Sequence, residues 1–349
     1  MVEPVVIPAV PARPEEYGTA TRAALDHIDR QAVRTVADGR PESTRRSYAQ
    51  DWASWTKFCA DSGVPVLAVT PGTLVMFVEW LWTRPGGKKG TCTAPSTIDR
   101  RISGTVVTAR AEHGVRLEDG VRLEDGVARL AHNRLKQLVK EMEASGETRG
   151  RGQAPPLLVE HPVRISAACP DNLRGIRDRA LVLMHFVVAG REHELAFNRV
   201  RDYAETPGGI HADLRFSKVR PRVAPVPYGS RPSICPVRAW QAWKEAAYLT
   251  DPDGCAWRRL HNRWHTVMDG GLTPESIGDI VTRAGERAGI EIRFTGHSPR
   301  RGLATSSRLK GHDQIVIAKQ GGWAAHSKVL AGYLEVVDQG EDNALLGVL

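Results

Sequence analysis

Residues 294–335 read FTGHSPRRGLATSSRLKGHDQIVIAKQGGWAAHSKVLAGYLE, and two clusters in this stretch organise the rest of the chain. The first is His297-Ser298-Pro299-Arg300-Arg301. Ser298 suits a helix N-cap and Pro299 the first helical position, so a helix is predicted to start here. A helix N-terminus carries partial positive charge, yet His297, Arg300 and Arg301 crowd this one. Such crowding is unfavourable until an anion binds. A phosphate supplies charge for the arginines, an acceptor for the free N–H groups and a partner for the histidine. The second cluster is Gly321-Gly322-Trp323, with Tyr333 ten residues beyond the tryptophan. The glycine pair ends one helix, and 326–334 reads as the next.

Taken singly, these residues fit a capped surface helix, a core tryptophan and a buried tyrosine. As an ordered set they resemble the tyrosine recombinases, or phage integrase family, and among them the Cre-like and Xer-like simple members. The resemblance rests on His297 and Arg300, the Gly-Gly-Trp step, and Tyr333.

Composition sets wide bounds. The 349 residues are 41% apolar, enough for one large or two medium domains with real cores. A net charge of +8 and a pI near 9.4 point to a polyanionic partner, with nucleic acid the leading choice. The five cysteines, at 59, 92, 169, 235 and 255, show no CxxC spacing and read as reduced thiols. No apolar run approaches a membrane span, and the Pro-rich start lacks a signal-peptide core. A cytoplasmic, DNA-associated protein of bacterial, archaeal or phage origin is expected.

Residues 1–40 read as a disordered to partly helical lead, with a weak helical pattern at 19–36. A helical domain is expected over 41–145. Its first helix opens at Pro41-Glu42-Ser43-Thr44-Arg45-Arg46 and carries Tyr48, Trp52, Trp55, Phe58 and Cys59 on one face. Further helices are predicted at 71–82, from Pro95-Ser96-Thr97 onward with Arg100 and Arg101 near its start, and at 127–144. The loop holding Lys88 and Lys89 is basic. The six residues VRLEDG occur twice in tandem, at 115–126, and read as a local duplication in a loop. The segment resembles the family's core-binding (SAM-like) domain. The resemblance nominates Arg46, Thr97 and Arg100 for DNA contact, with Arg45, Lys88, Lys89, Arg101 and Arg301 as further basic candidates.

A Gly- and Pro-rich linker, 146–156, leads to a second domain at 157–349. The apolar run 176–189 reads as a buried helix delivering Arg191 and Glu194. An arginine there needs a partner, and Glu194 can hold it. Ile210, Ala212, Leu214 and Phe216 alternate with polar residues, and Val223–Val226 returns, so a β-hairpin is predicted with Lys218 in its turn. Helices are expected from Pro236, carrying Trp240 and Trp243, and at 274–288. His261 and His265 lack the further ligands of a zinc site, and no metal is assigned.

The resemblance implies a mainly α fold: a two-domain C-shaped clamp, with a mixed but mostly helical catalytic domain holding a small antiparallel sheet. It implies a site-specific DNA recombinase acting through a 3′-phosphotyrosyl intermediate, without metal, ATP or other cofactor. Arg191, Lys218, His297, Arg300, Trp323 and Tyr333 would be its catalytic set, with Glu194 supporting. The partner would be duplex DNA with inverted-repeat sites, bound by a tetramer joined through the tail, 338–349, whose end Ala344-Leu345-Leu346-Gly347-Val348-Leu349 is apolar. Two alternatives remain open on sequence: type IB topoisomerase-like cleavage, and a catalytically silent sequence-specific DNA-binding protein.

Overall fold

The computed structural model describes residues 17–87, 90–114, 126–150, 152–217 and 220–334, without the side chains at 30, 33 and 37. The sequence readings on 1–16, Lys88, Lys89, the VRLEDG copies, Lys218 and the tail 338–349 lie outside those residues. The chain divides into two compact units, Met1–Gly152 and Gln153–Leu349.

The first unit is helical: α1 (Thr19–Asp38), α2 (Glu42–Ser62), α3 (Pro71–Trp82), α4 (Pro95–Ala111) and α5 (Arg129–Ala144). Thr70 and Thr73 start α3 reciprocally. The Thr73 N–H donates to Thr70 Oγ1 at 3.2 Å, and the Thr70 N–H donates to Thr73 Oγ1 at 2.9 Å. Gly63, at φ 67°, ends α2 in the left-handed conformation that glycine tolerates best. The apolar faces meet in an aromatic cluster. Trp55 lies 5.2 Å from both Phe58 and Phe77, ring centroid to centroid, and Leu74, Leu81, Ile98 and Ile102 close around it.

The second unit runs α6 (Glu160–Ala168), α7 (Leu173–Val188), α8 (Glu192–Ala196), β1 (Tyr203–Thr206), β2 (Gly209–Leu214), β3 (Arg222–Pro227), α9 (Pro236–Ala246), β4 (Arg258–Leu260), β5 (Val267–Gly271), α10 (Pro274–Arg287), α11 (Ser298–Leu309), α12 (Gln314–Gly321) and α13 (Lys328–Leu334). Asn172 caps α7, accepting from the Gly175 N–H at 3.0 Å. α7 packs on α9, where Trp240 and Trp243 are fully buried.

The predicted hairpin is present as β2 and β3, but β1 adds a third strand: Tyr203 faces Ala212, which faces Ala224. Ile210, Ala212 and Leu214 are buried as the alternation requires. Phe216 falls beyond the strand end and is 48% exposed. Sequence periodicity also missed α6, α8 and the β4–β5 hairpin. At α11 the N-cap is His297, not Ser298. Ser298 lies inside the first turn, and its hydroxyl accepts from the Thr295 N–H at 2.9 Å.

Candidate active site

Three chain breaks in helix meet in the second unit: the end of α7, the start of α11 and the α12–α13 step. At the first, Ala189 takes a left-handed conformation, φ 45° and ψ 38°. For a residue with a Cβ this costs about 1 kcal/mol. The buried His185 Nε2 donates to the Gly190 carbonyl at 3.1 Å. Burial lowers the His185 pKa to about 4, so the ring is neutral and acts as a fixed strut.

Arg191 follows as the N-cap of α8. Its Nη1 donates to Glu194 Oε1 at 2.9 Å, and its backbone N–H donates to Glu194 Oε2 at 3.0 Å. Glu194 is fully buried and has a second guanidinium partner, Arg222, whose Nη1 reaches Oε2 at 3.2 Å. Arg222 Nη2 also donates to the Val188 carbonyl at 2.8 Å. Burial pushes the Glu194 carboxyl up, but Arg222, the Arg191 backbone and the Arg191 charge outweigh it and hold the pKa below its ordinary value. Glu194 is therefore a carboxylate that fixes two arginines.

Arg300, on the first turn of α11, is 2% exposed. Its Nη1 donates to the carbonyls of Ala189 and, at 2.7 Å, Gly321. Its Nη2 is buried without a hydrogen-bond partner. Burial, then the like charges of Arg191 and Arg222, push the Arg300 pKa down to about 9. Three guanidiniums near one carboxylate, with an orphaned N–H, make a cluster of positive charge suited to an anion.

Gly321 and Gly322 shape the third break. Gly322, at φ 65°, ends α12, and a Cβ there would press on the Arg222 side chain. A Cβ on Gly321 would occupy the Trp323 ring. The chain thus folds Trp323 back over Arg300, with the guanidinium carbon 3.9 Å from the ring centroid. Tyr333, half-buried on α13, meets the Trp323 ring edge-on at 6.2 Å. Its carbonyl accepts from Thr305 Oγ1 of α11 at 3.2 Å.

His297 stands at the rim, 49% exposed, with Nδ1 3.2 Å from the Glu192 carboxylate. Burial raises the Glu192 pKa, but its hydrogen bond to His297 and the His297 charge dominate and bring it to about 2. With Nδ1–H donated to Glu192, the Nε2 of a neutral His297 is left as an acceptor.

Arg191, Glu194, His297, Arg300, Trp323 and Tyr333 are therefore brought together. Arg301 is drawn inward. It is 8% exposed, its Nη1 donates to the Ala154 carbonyl at 2.8 Å, and its guanidinium lies 5.5 Å from the Tyr333 ring. In the first unit, Arg45 is exposed and borders a cavity of about 300 Å³ with Arg34 and Arg40. Arg46 is exposed and pairs with Glu42 at 3.0 Å. Arg100 is 42% exposed and anchored to the buried Asp51 at 2.6 Å. Burial, then Arg100 opposing it, leaves the Asp51 pKa raised. Thr97 is half-buried in the first turn of α4, and Arg101 is half-buried with its pKa lowered by burial. Among the described residues no group of three His, Cys, Asp or Glu side chains is placed to hold a metal. His261 accepts the backbone N–H groups of Arg263 and Trp264, at 3.3 and 3.2 Å, and so caps a turn.

Sequence reasoning missed Arg222 and Glu192. Arg222 had a signal: it shares the inward strand face with Ala224 and Val226. Glu192 had none, because its partner is 105 residues away.

No protein-family model matches the chain. It is similar to an integrase/recombinase XerD homolog of Selenomonas ruminantium, 27% identical over 330 residues that span 92% of this chain and 89% of the relative. Among solved structures it is similar to XerH site-specific recombinase bound to palindromic difH substrate in a post-cleavage complex. The TM-score there is 0.55 with 13% identity, over 84% of this chain and 76% of that one. A lambda integrase tetramer bound to a Holliday junction gives a TM-score of 0.50 with 10% identity, over 92% of this chain and 82% of that one. At these identities the structural likeness establishes a shared fold.

Proposed function

We infer, from the membership of this chain in the tyrosine recombinase family, that it is a site-specific DNA recombinase working through a covalent phosphotyrosyl intermediate. The observation that supports this most is the cluster of Arg191, Arg222 and the orphaned Arg300 Nη2, with Tyr333 alongside. A DNA phosphodiester is the anion proposed.

Arg191 and Arg300 would hold the two non-bridging oxygens and stabilise the added charge of the pentavalent transition state. Tyr333 Oη attacks phosphorus, the P–O5′ bond breaks, and the chain end becomes a 3′-phosphotyrosine. The tyrosine proton passes to His297 Nε2, oriented by Glu192. Lys218, which lies between β2 and β3 in the sequence, would give a proton to the leaving 5′-oxygen. Lysine can do this near neutral pH, because its pKa falls readily. Attack by a 5′-hydroxyl on the phosphotyrosine reverses every transfer, so strands rejoin without a high-energy cofactor. Arg222 is a positioning residue in this scheme: it shares Glu194 with Arg191 and starts the strand that follows Lys218.

We further propose assembly on DNA through the tail. An apolar groove of about 780 Å³ lies between the hairpin and α11–α12, floored by Ile210, Val226, Leu303 and Ile317. Val316 at its edge is 56% exposed. The apolar end, 344–349, of a neighbouring protomer matches it in chemistry. Deleting 341–349 should leave single-site binding intact and remove synapsis.

The test is direct. DNA sites selected by the full chain are rebuilt with a nick beside the cleavage position, so that the released fragment is lost and the adduct accumulates. A covalent complex supports the recombinase reading. Binding without any adduct would leave a silent DNA-binding protein instead, and relaxation of a single duplex without strand exchange would leave a topoisomerase.

A further inference from the structure

At the opposite end of α7 from the proposed active site lies a positively charged cavity of about 620 Å³. A helix rises about 1.5 Å per residue, so Arg174 and the helix end at Val188 are roughly 20 Å apart. Five arginines line the cavity: Arg174 and Arg177 from α7, Arg259 from β4, and Arg283 and Arg287 from α10. Asp178 is the one acid among the described lining residues. Its carboxylate is already engaged, by Arg177 at 2.8 Å and Arg287 at 3.3 Å. Arg174, Arg259 and Arg283 have no carboxylate partner among the described residues. Arg174 also sits on the first turn of α7, where the helix dipole adds to the positive potential.

Like charges gathered in a concave, partly desolvated space repel, and folding alone gives no reason to collect them. Arginine forks in such a space match phosphate oxygens. We propose that this cavity is a second phosphate-binding site, taking a ligand with at least two phosphate charges. The chemistry is shared by two sources: consecutive phosphates of a nucleic-acid backbone, and a free oligophosphate such as a nucleoside di- or triphosphate. The site does not depend on the recombinase reading, since none of its residues belongs to the active site.

The full chain and its Arg174→Ala/Arg283→Ala variant are titrated with inorganic tripolyphosphate by calorimetry. They are then titrated with a random-sequence duplex at several salt concentrations. Both positions are solvent-accessible and unpaired, so without ligand the variant should melt at or above the wild-type Tm. Tripolyphosphate should bind the variant at least tenfold more weakly, and Arg174→Lys/Arg283→Lys should keep most of the affinity. A nucleic-acid source adds a fall of about 1.8 in the slope of log K against log salt for the duplex, from two lost phosphate contacts. A free oligophosphate leaves that slope unchanged. Equal tripolyphosphate binding by wild type and the alanine variant overturns the site. So does a variant that loses only the binding of a poly-glutamate probe, which would mark an acidic-protein surface. Should the double variant fold poorly, Arg283→Gln at an exposed position gives the same reading.

Discussion

The guanidinium carbon of Arg300 lies 3.9 Å from the centre of the Trp323 ring, in a pocket that leaves Arg300 2% exposed. Cation–π contact in a desolvated site contributes about 2 kcal/mol. Trp323 thus holds the arginine in place with no ligand bound. A ring alone is enough for that role, whereas donation to a phosphate oxygen needs the indole N–H. Trp323→Phe should therefore keep Arg300 in place and lose only the hydrogen bond, and Trp323→Ala should lose both. Cleavage rates in the order wild type, Phe, Ala, with DNA affinity nearly constant, are the expected outcome. Equal rates for Phe and Ala would assign the tryptophan to the hydrogen bond alone.

In the proposed mechanism Arg191 and Arg300 would face charge that grows as the phosphorus becomes pentavalent. Alanine at either should slow strand cleavage by about 10²–10³-fold, the cost of removing one such donor. Duplex affinity should fall far less, since each is one phosphate contact among many. Single-turnover cleavage alongside a binding titration separates the two effects.

Arg222 acts through Glu194. Its guanidinium is foremost among the groups that keep the buried Glu194 carboxyl ionised. In Arg222→Ala the Glu194 pKa should rise, and the acid limb of the cleavage pH profile should move to higher pH. Misplacing Arg191 should also lower the rate, by about 10²-fold for a shift near 1 Å. A slower enzyme with an unmoved pH profile would make Arg222 a packing residue only.

Glu192 is held near 2, below its ordinary 4.5, by His297. A depressed carboxylate contributes its stability in full above pH 4.5 and loses it as pH falls towards 2. Wild type should lose stability across that window more steeply than Glu192→Gln. The Gln variant should be the less stable of the two at pH 5. Urea unfolding at pH 5, 4 and 3 measures both. The variant should also cleave more slowly near neutral pH, because His297 loses its orienting partner.

Much of this architecture is legible in the sequence where local signals agree. α3 begins at Pro71 because Thr70, Pro71 and Thr73 all favour a start there, and its apolar face is continuous. The core aromatics of α2 follow from helical spacing. β1 was hidden because four residues, Tyr203–Thr206, carry too short an alternation. β4 and β5 were hidden because Arg258 and Arg259 open one and Gly270 and Gly271 close the other, masking any apolar period. The site's motif residues could be named in order from the chain, but their supports could not. The Glu192–His297 and Arg222–Glu194 contacts form between segments far apart in sequence. Ser298 resembled an N-cap because hydroxyl-then-proline is a common start, yet its hydroxyl serves the Thr295 N–H one turn earlier.

The proposed chemistry turns on one oxygen, Tyr333 Oη. Tyr333→Phe removes it and leaves the ring against Trp323 and beneath Arg301. Wild type and variant are incubated with the nicked site, denatured, digested and mapped by mass spectrometry for a tyrosine carrying a nucleotide. The account predicts a DNA-linked peptide containing Tyr333 from wild type, and none from Tyr333→Phe despite equal DNA binding. An adduct of undiminished yield in the variant, or one mapped to another residue of the wild type, would contradict it.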